Sequence, residues 1–171
     1  ILDRDGRELA ISVEAATVYA SPDEIEDRAA AARALARLTG APEAAIAARL
    51  SSSRGFVPVV LKIDVAQAAA VRAAKIPGIQ LVPDTRRFYP KGELAAAVLG
   101  FVGTENHGLE GLEYFYDKVV GGRPGEYILL TDARRSTYGE AERSNVKPPQ
   151  EGASLVLSLD AGVQFAAEKE L

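Results

Sequence analysis

The sequence predicts an α+β fold with mixed sheets and several short helices, arranged as two lobes that share a core. Runs of β-type composition alternate with Ala-rich helical runs, but the helices are too unevenly placed for a regular parallel βαβ array. The apolar fraction of 47% and the charged fraction of 26% are typical of a soluble globular protein. A chain of 171 residues buries roughly 70% of its unfolded surface, so it needs no disulfide or metal to stay folded.

The N-terminal part predicts a hairpin followed by two helices. Asp5-Gly6 is a hairpin signal, because both residue types tolerate the positive φ angles of a two-residue turn. Ser21 and Glu24 fit a capping box at the start of a helix. The predicted elements are extended structure over 1–20, a helix over 21–38 that Gly40 ends, and a second helix over 41–50.

The middle of the chain predicts strands around a third helix. Pro58 lies in a β-type run and cannot donate to a ladder, which places this run at a sheet edge or strand start. Asp64 with Gln67 predicts the N-terminal cap of the helix. The predicted elements are a strand over 57–63, a helix through 74, a strand over 79–82 and an extended piece over 85–89.

The C-terminal part predicts two helices, a linker and a strand–helix pair. An amphipathic helix is expected over 109–120, with Leu112, Phe115, Tyr116 and Val119 on its buried face. Pro148-Pro149 predicts that the polar segment 137–152 is a linker or long loop. The other predicted elements are a helix over 93–99, strands over 127–131 and 153–159, and a last helix that Asp160 caps.

Composition excludes several classes of function. The net charge of −4 and the lack of a basic stripe argue against nucleic-acid binding. The chain has no Cys, which excludes disulfides, thiolate zinc sites and a cysteine nucleophile. The sequence contains no run of about 18 apolar residues, so it predicts no membrane span. The chain also has no Met, so we expect it to be excised or processed from a longer protein.

Ser144 and Lys147 match the S-x-x-K pattern of serine acyl-enzymes, but their context is unfavourable. Such a Ser needs the start of a buried helix, with the Lys one turn later to take its proton. Here Lys147 precedes Pro148, and a residue before proline is disfavoured in helical conformation. No K-T-G follows, so we interpret the pattern as non-catalytic.

The other candidates for chemistry also favour structural roles. His107 is the one histidine and lies in a polar turn without a cysteine nearby. Glu110 and Glu113 share a helical face and could form an acid–base pair. Carboxylates are also common in the first turn of a helix, which accounts for Glu110. The glycine-rich run 121–125 lacks the spacing of a phosphate loop. We therefore expect no catalytic, metal or cofactor site.

Four groups of residues, in one order, resemble the motifs of class B penicillin-binding proteins. Residues 3–10 resemble D-R-x-G-x-x-L-A, and residues 87–100 resemble R-x-Y-P-x-G-x-x-A-A-x-x-L-G. Residues 108–117 resemble G-x-x-G-L-E-x-x-Y-D, and residues 152–168 resemble the opening strand and helix of the transpeptidase domain. Gly122 and Gly125 match the glycines that follow the third motif. The motif residues are Asp3, Arg4, Gly6, Arg87, Tyr89, Pro90, Gly92, Gly108, Gly111, Leu112, Glu113, Tyr116, Asp117 and Gly125.

The resemblance implies a non-catalytic pedestal, often called the dimerisation domain, over residues 1–152, with a head lobe at about 21–83. Residues 153–171 would be the start of the transpeptidase domain, whose catalytic Ser and Lys lie downstream. The implied parent is a membrane-anchored, periplasmic enzyme that cross-links peptidoglycan stem peptides and binds penicillin. The short loop over 100–108 favours the division or sporulation branch. The implied partners are the transpeptidase domain, a polytopic glycan polymerase and a second copy in a homodimer.

Arg87 and Glu113 are the charged members of otherwise apolar and glycine-rich motifs. We expect them to form a bidentate ion pair that joins the strand carrying Arg87 to the helix carrying Glu113. This hypothesis requires the two charged groups to lie within about 6 Å of each other.

Two alternatives from other classes stay open at this point. The chain could be a stand-alone domain that binds cell wall or a protein partner. It could also be a serine hydrolase that uses Ser144 and Lys147, which labelling with a fluorescent penicillin would reveal. A downstream reading frame with S-x-x-K on a helix and a later K-T-G would separate the pedestal from both.

Overall fold

The computed structural model describes residues 1–128 and 144–170. These residues fall into two compact units. Residues 14–86 form the insert unit, and residues 1–13, 87–128 and 144–170 form the base unit. The predicted head lobe, at about 21–83, lies within the insert unit. The mixture of helices and sheets confirms the α+β prediction.

A three-stranded sheet consists of β1 (Ile11–Ala20), β2 (Val57–Ile63) and β3 (Ile79–Phe88), in the order β2-β1-β3. β1 and β2 are antiparallel, with Ala16 opposite Ile63 and Ala20 opposite Val57. β2 is an edge strand, as Pro58 predicted. β3 joins the predicted strand over 79–82 and the extended piece over 85–89 into one strand.

Three helices complete the insert unit: α1 (Arg28–Thr39), α2 (Glu43–Leu50) and α3 (Val65–Ala74). Gly40 ends α1 with φ 73°, and the capping box of Asp64 and Gln67 begins α3, both as predicted. Small side chains on α1 allow it to pack closely against α2 and α3. The buried core of this unit consists of Ala16, Val18, Ala20, Ile25, Ala31, Ala32, Leu35, Ile46, Leu50, Val57, Ile63, Ala68 and Val71.

The single helix predicted over 21–38 is wrong in its first turns. A short 3-10 helix covers Pro22–Glu24, and α1 begins only at Arg28. Ser21 does not cap with its side chain, and its backbone N–H donates to the carbonyl of Gly78. Ile25 is extended and buried in the core, which interrupts the helix. The cap is instead Asp27, whose carboxylate accepts from the N–H of Ala30 at 2.8 Å.

The base unit begins with the predicted hairpin. Leu2 bridges Glu8, and Gly6 has the positive φ of 80° that its turn requires. Leu2 also bridges Val156 in parallel orientation, so the strand predicted over 153–159 is reduced to this bridge. Backbone hydrogen bonds from Arg4 to Leu159 and from Ala153 to Val119 hold the rest of the segment. The core of this unit consists of Ile1, Leu9, Ala10, Ala95, Leu99 and Ala161.

Four helices and a two-stranded ladder complete the described part of the base unit. The helices are α4 (Ala96–Leu99), α5 (Gly111–Phe115), α6 (Asp117–Val120) and α7 (Ala161–Glu170). The antiparallel ladder consists of β4 (Glu126–Ile128) and β5 (Ser144–Lys147). α4 is shorter than the helix predicted over 93–99, because residues 91–95 form turns. Asp160 caps α7 as predicted, accepting from the N–H groups of Gly162 and Val163.

The amphipathic helix predicted over 109–120 is wrong in both continuity and orientation. α5 and α6 meet at Tyr116, which is not helical. Phe115 is 76% exposed and Val119 is 52% exposed, whereas Glu113 is only 2% exposed. Glu113 is buried because its carboxylate pairs with the guanidinium of Arg87, which is itself largely buried.

The linker or long loop predicted over 137–152 is wrong at residues 144–147, whereas 148–152 is irregular as predicted, with one bridge between Gln150 and Arg123. Residues 144–147 form β5, which pairs with β4 so that Glu126 lies opposite Lys147. Backbone pairing therefore gives this polar segment regular structure despite its composition. The remaining parts of the linker and of the strand predicted over 127–131 fall at 137–143 and 129–131, outside the described residues.

Candidate functional site: the Arg87–Glu113 motif core

The ion pair predicted from the motifs is present and buried. Arg87 lies at the end of β3 and Glu113 in α5, with Nε of Arg87 2.7 Å from Oε1 of Glu113. The side chains are 11% and 2% exposed, so water screens their interaction little. This distance satisfies the criterion of about 6 Å set from the sequence.

The pairing is not the predicted bidentate one. Nη1 of Arg87 donates to Oγ of Ser12 at 3.1 Å instead of to the second carboxylate oxygen. Nη2 is buried and has no hydrogen-bond partner within the described residues. The guanidinium therefore reaches both β1 and α5. Ser12 was missed by the sequence reasoning, since nothing in its local pattern marks it as a partner of Arg87. We call Ser12, Arg87, Tyr89 and Glu113 the motif core.

Tyr89 contributes a third polar group to the motif core. Its hydroxyl donates to Oε1 of Glu113 at 3.4 Å, a long hydrogen bond. Burial raises the pKa of Tyr89, and the negative charge of Glu113 raises it further against the opposing effect of Arg87. The hydroxyl thus stays protonated and can act as a donor to the carboxylate.

Glycines around α5 allow the backbone approach that places Glu113. Gly111 has φ 59°, and a Cβ there would lie 2.6 Å from the amide nitrogen of Gly100 and 2.6 Å from the carbonyl oxygen of Val98. A Cβ at Gly108 would overlap the carbonyl group of Glu113 itself. A side chain at either position would push α5 away from its neighbours. The motif glycines therefore fix the position of the glutamate.

Asp3 forms a second buried polar centre in the base unit. Its Oδ1 accepts from the backbone N–H groups of Asp5 at 2.9 Å and Arg7 at 2.8 Å. Its Oδ2 accepts from Nη1 of Arg7 and from the N–H of Ala161, both at 3.3 Å. Burial raises the pKa of Asp3, but the N–H donors of Arg7, Asp5 and Ala161 outweigh it, so the pKa lies below its ordinary value of 3.8.

The lowered pKa of Asp3 predicts a specific loss of stability in acid. The unfolded chain binds this proton more readily than the folded chain, so Asp3 stabilises the fold above pH 3.8 and ceases to do so as the pH falls through its lower folded pKa. Asp3→Asn should therefore show a smaller fall in the free energy of unfolding over this range. Urea unfolding of both chains between about pH 2 and pH 6 measures it. Parallel pH curves for the two chains would contradict this assignment.

The other motif residues have structural contacts and no shared chemistry. The N–H of Gly108 donates to Oδ1 of Asp117 at 2.7 Å. Gly92 closes a turn, with φ 61° and its N–H donating to the carbonyl of Tyr89 at 3.0 Å. A Cβ at Gly125 would contact the ring of Pro149. Pro90 is exposed and Tyr116 half-buried. An open cavity of about 560 Å³ is lined by Arg4, Val98, Leu112, Leu157, Ser158, Leu159, Asp160, Val163 and Gln164.

The residues singled out for catalysis are not brought together. Ser144 and Lys147 lie on β5, an extended strand, so they lack the helical spacing that the S-x-x-K mechanism uses. His107 is 72% exposed, and its Nδ1 lies 3.4 Å from Oδ2 of Asp117. Glu110 is exposed and does not share the environment of Glu113. Across residues 1–128 and 144–170, no cluster of His, Asp and Glu could hold a metal ion.

No helix in the described part of the chain has the length and hydropathy needed to span a bilayer.

Comparison with known proteins identifies relatives along the whole chain. Peptidoglycan D,D-transpeptidase FtsI of Escherichia coli is 33% identical over 179 residues, which covers 100% of this chain and 30% of the relative. Stage V sporulation protein D of Bacillus subtilis is 32% identical over 174 residues, which covers 100% of this chain and 27% of the relative. The chain thus spans less than a third of the length of these curated relatives.

Solved structures show the same fold. In a complex between penicillin-binding protein PBP2 and MreC from Helicobacter pylori, the matched chain has a TM-score of 0.69 at 22% identity, covering 98% of this chain and 36% of that one. Penicillin-binding protein 2X from Streptococcus thermophilus has a TM-score of 0.61 at 22% identity, covering 99% of this chain and 29% of that one.

The family assignment agrees with the motifs that surround the buried pair. The family model described as "Penicillin-binding Protein dimerisation domain" matches residues 1–157, which include Asp3, Arg87 and Glu113. The resemblance to class B penicillin-binding proteins stated from the sequence is therefore confirmed, and this chain belongs to the penicillin-binding protein dimerisation domain family.

Proposed function

We propose that this chain is the non-catalytic pedestal of a longer class B penicillin-binding protein and positions a transpeptidase domain that follows it. The observation that carries this proposal is the motif core, in which the charged side chains form an ion pair with each other. Nε of Arg87 and Oε1 of Glu113 are 2.7 Å apart and buried, so neither side chain is available to a substrate. A module of this kind stabilises an arrangement of elements and leaves chemistry to another domain.

The parent protein is proposed to be a peptidoglycan D,D-transpeptidase that acts through an acyl-serine and binds penicillin. The names of two relatives support the transpeptidase activity: FtsI of Escherichia coli is named a peptidoglycan D,D-transpeptidase, and PenA of Neisseria gonorrhoeae a probable one. Relatives that are about three times longer than the match leave room for the catalytic domain outside the aligned part. The catalytic Ser and Lys would lie in that domain.

The proposed boundary between pedestal and transpeptidase domain is at residues 152–153. Apolar side chains that face solvent in the base unit support an extensive contact with another domain or protein. Val163 is 68% exposed and Phe165 61% exposed on α7, and Phe115 is 76% exposed on α5. Burying such side chains against a second surface removes apolar area from water, which favours association.

The proposed partners are the transpeptidase domain, a polytopic glycan polymerase of the division or elongation machinery, and a second copy of the chain. One fold neighbour, PBP2 of Helicobacter pylori, was solved in a complex with MreC, which supports the proposal that this chain contacts other proteins. The proposed location is the extracytoplasmic side of a bacterial inner membrane, to which an anchor elsewhere in the parent would attach. Cell division, sporulation or cell shape would be the process served.

Labelling with a fluorescent penicillin tests whether the acyl-serine chemistry belongs to another domain of the parent protein. We expect the parent protein to be labelled and the chain over 1–171 to be unlabelled, because Ser144 and Lys147 lie on a strand. Ser144→Ala in the parent is the matched control and should leave its labelling unchanged. Labelling of the isolated chain that disappears in Ser144→Ala would contradict the pedestal and favour the serine hydrolase.

A further inference from the structure

α7 contacts the rest of the base unit through a narrow and mostly polar stripe. Ala161, Gln164 and Glu168 are spaced three and four residues apart, which places them on one face of the helix. Ala161 is 7% exposed and belongs to the base-unit core. The apolar side chains of Val163 and Phe165 are 68% and 61% exposed. Because the inward face buries little apolar surface, hydrogen bonds must supply much of what holds α7 in place.

The first turn of α7 is bound by Asp3, which lies 158 positions away in sequence. The N–H of Ala161 donates to Oδ2 of Asp3 at 3.3 Å, and this N–H is one that a helix cannot satisfy internally. Oδ1 of the same carboxylate accepts from the N–H groups of Asp5 and Arg7, which close the N-terminal hairpin. One buried carboxylate therefore supports the hairpin turn and the helix start together.

The last turns of α7 are bound by Glu168. Its Oε1 accepts from the backbone N–H of Ala95 at 2.9 Å and from Nε2 of Gln164 at 2.7 Å. Ala95 is 1% exposed and has φ 57°, an unfavourable conformation for a residue with a Cβ. Its N–H immediately precedes α4, inside the motif that runs from Arg87 to Gly100. A hydrogen bond to a charged oxygen compensates for that conformation.

We propose that Asp3 and Glu168 are positioning residues that bind α7 to two motifs at once, so that α7 moves as part of the base unit. The hairpin motif holds one end of the helix and the segment before α4 holds the other. The inference that α7 thereby orients the rest of the transpeptidase domain, of which residues 153–171 are the proposed start, rests on the proposed function. The coupling of α7 to the two motifs does not, because it concerns contacts within the described base unit.

Two carboxylates acting on one helix should show a characteristic lack of additivity. If α7 is released when either end is lost, the second substitution adds little to the first. If each carboxylate stabilises only its own turn, the accelerations of amide exchange caused by the two substitutions multiply. This difference separates a shared positioning role from two independent local contacts.

Hydrogen–deuterium exchange of the 171-residue chain measures this directly. We expect Glu168→Gln and Asp3→Asn each to accelerate exchange of the α7 amides by about tenfold or more, while amides of α1 in the insert unit change less than about twofold. The double variant should exceed the faster single variant by less than about threefold. Matched controls are Glu170→Gln on α7 and Asp5→Asn in the hairpin, which remove an exposed carboxylate from the same elements.

Three results would overturn the coupling: α7 exchange within about twofold of the unsubstituted chain, equal acceleration in α1 and α7, or a double variant whose acceleration is the product of the single ones. Glu168 is exposed, so we expect Glu168→Gln to fold. If Asp3→Asn does not fold, exchange in Glu168→Gln still tests the inference. These outcomes are independent of penicillin labelling, so a failure of the coupling and a failure of the pedestal can be told apart.

Discussion

Arg87→Ala is expected to lower the free energy of unfolding by about 3–5 kcal/mol, because it leaves the carboxylate of Glu113 buried without its cation. Glu113 is 2% exposed, so water cannot replace the guanidinium without a rearrangement of α5. The hydroxyl of Tyr89 would still donate to that carboxylate, but its hydrogen bond is 3.4 Å long. Urea or thermal unfolding of the purified chain gives the measurement.

The adjacent Arg86 supplies the matched control for that prediction. Arg86 is exposed on β3, so Arg86→Ala should change the free energy of unfolding by less than about 0.5 kcal/mol. Equal effects of the two substitutions would mean that Arg87 contributes only general charge or β-strand propensity. The motif core would then have no special part in the stability of the base unit.

Gly111→Ala is the second substitution from which a large loss is expected, of about 3–5 kcal/mol. A methyl group at this position would lie 2.6 Å from the backbone of Gly100 and Val98, and backbone atoms cannot move aside as a flexible side chain can. The positive φ of 59° adds a conformational cost. Since α5 begins at Gly111, its displacement would also separate Glu113 from Arg87.

Gly92→Ala isolates the conformational part of that cost. Gly92 has φ 61°, almost the angle of Gly111, but a Cβ there would meet nothing within 4 Å. We expect its loss to be about 1–2 kcal/mol, from the left-handed conformation alone. Similar losses for the two substitutions, measured by urea unfolding, would show that close approach at Gly111 is not what the motif requires.

Local signals account for the elements that the sequence predicted well. The capping box of Asp64 and Gln67, the end of α1 at Gly40 and the cap of α7 at Asp160 each depend on residues within about one turn of helix. Pro58 indicated an edge strand for a similar reason, since proline restricts its own backbone whatever surrounds it. These features are determined by residues that are close in sequence.

The wrong predictions concern contacts between residues distant in sequence. The helical pattern of 109–120 placed Phe115 and Val119 inside, but the buried guanidinium of Arg87, 26 positions earlier, draws Glu113 inward instead. β5 forms in a polar segment because β4 provides a backbone ladder. Ile25 ends the first helical turn because the core of the insert unit takes its side chain. Hydrophobic periodicity and secondary-structure propensity do not indicate which distant residues an element will contact.

The sequence predicted Arg87, Tyr89 and Glu113 of the candidate site, but neither Ser12 nor the geometry of the contacts. Family motifs led to Arg87 and Glu113, and physical reasoning gave their ion pair. The single contact through Nε, the hydrogen bond to Ser12 and the buried Nη2 depend on how β1, β3 and α5 meet. Likewise, Asp3 was recognised as a motif residue, but its partner Ala161 could not be found without coordinates.

A double-mutant cycle on Arg87 and Glu113 tests most directly whether the motif core is an internal structural contact. The cycle compares Arg87→Ala, Glu113→Ala and the double variant by urea unfolding of the chain. We predict a coupling free energy of at least about 2 kcal/mol, because removing both charges avoids leaving either one buried alone. Additive losses, within about 0.5 kcal/mol, would contradict a mutual pair and would require each residue to act on some other partner.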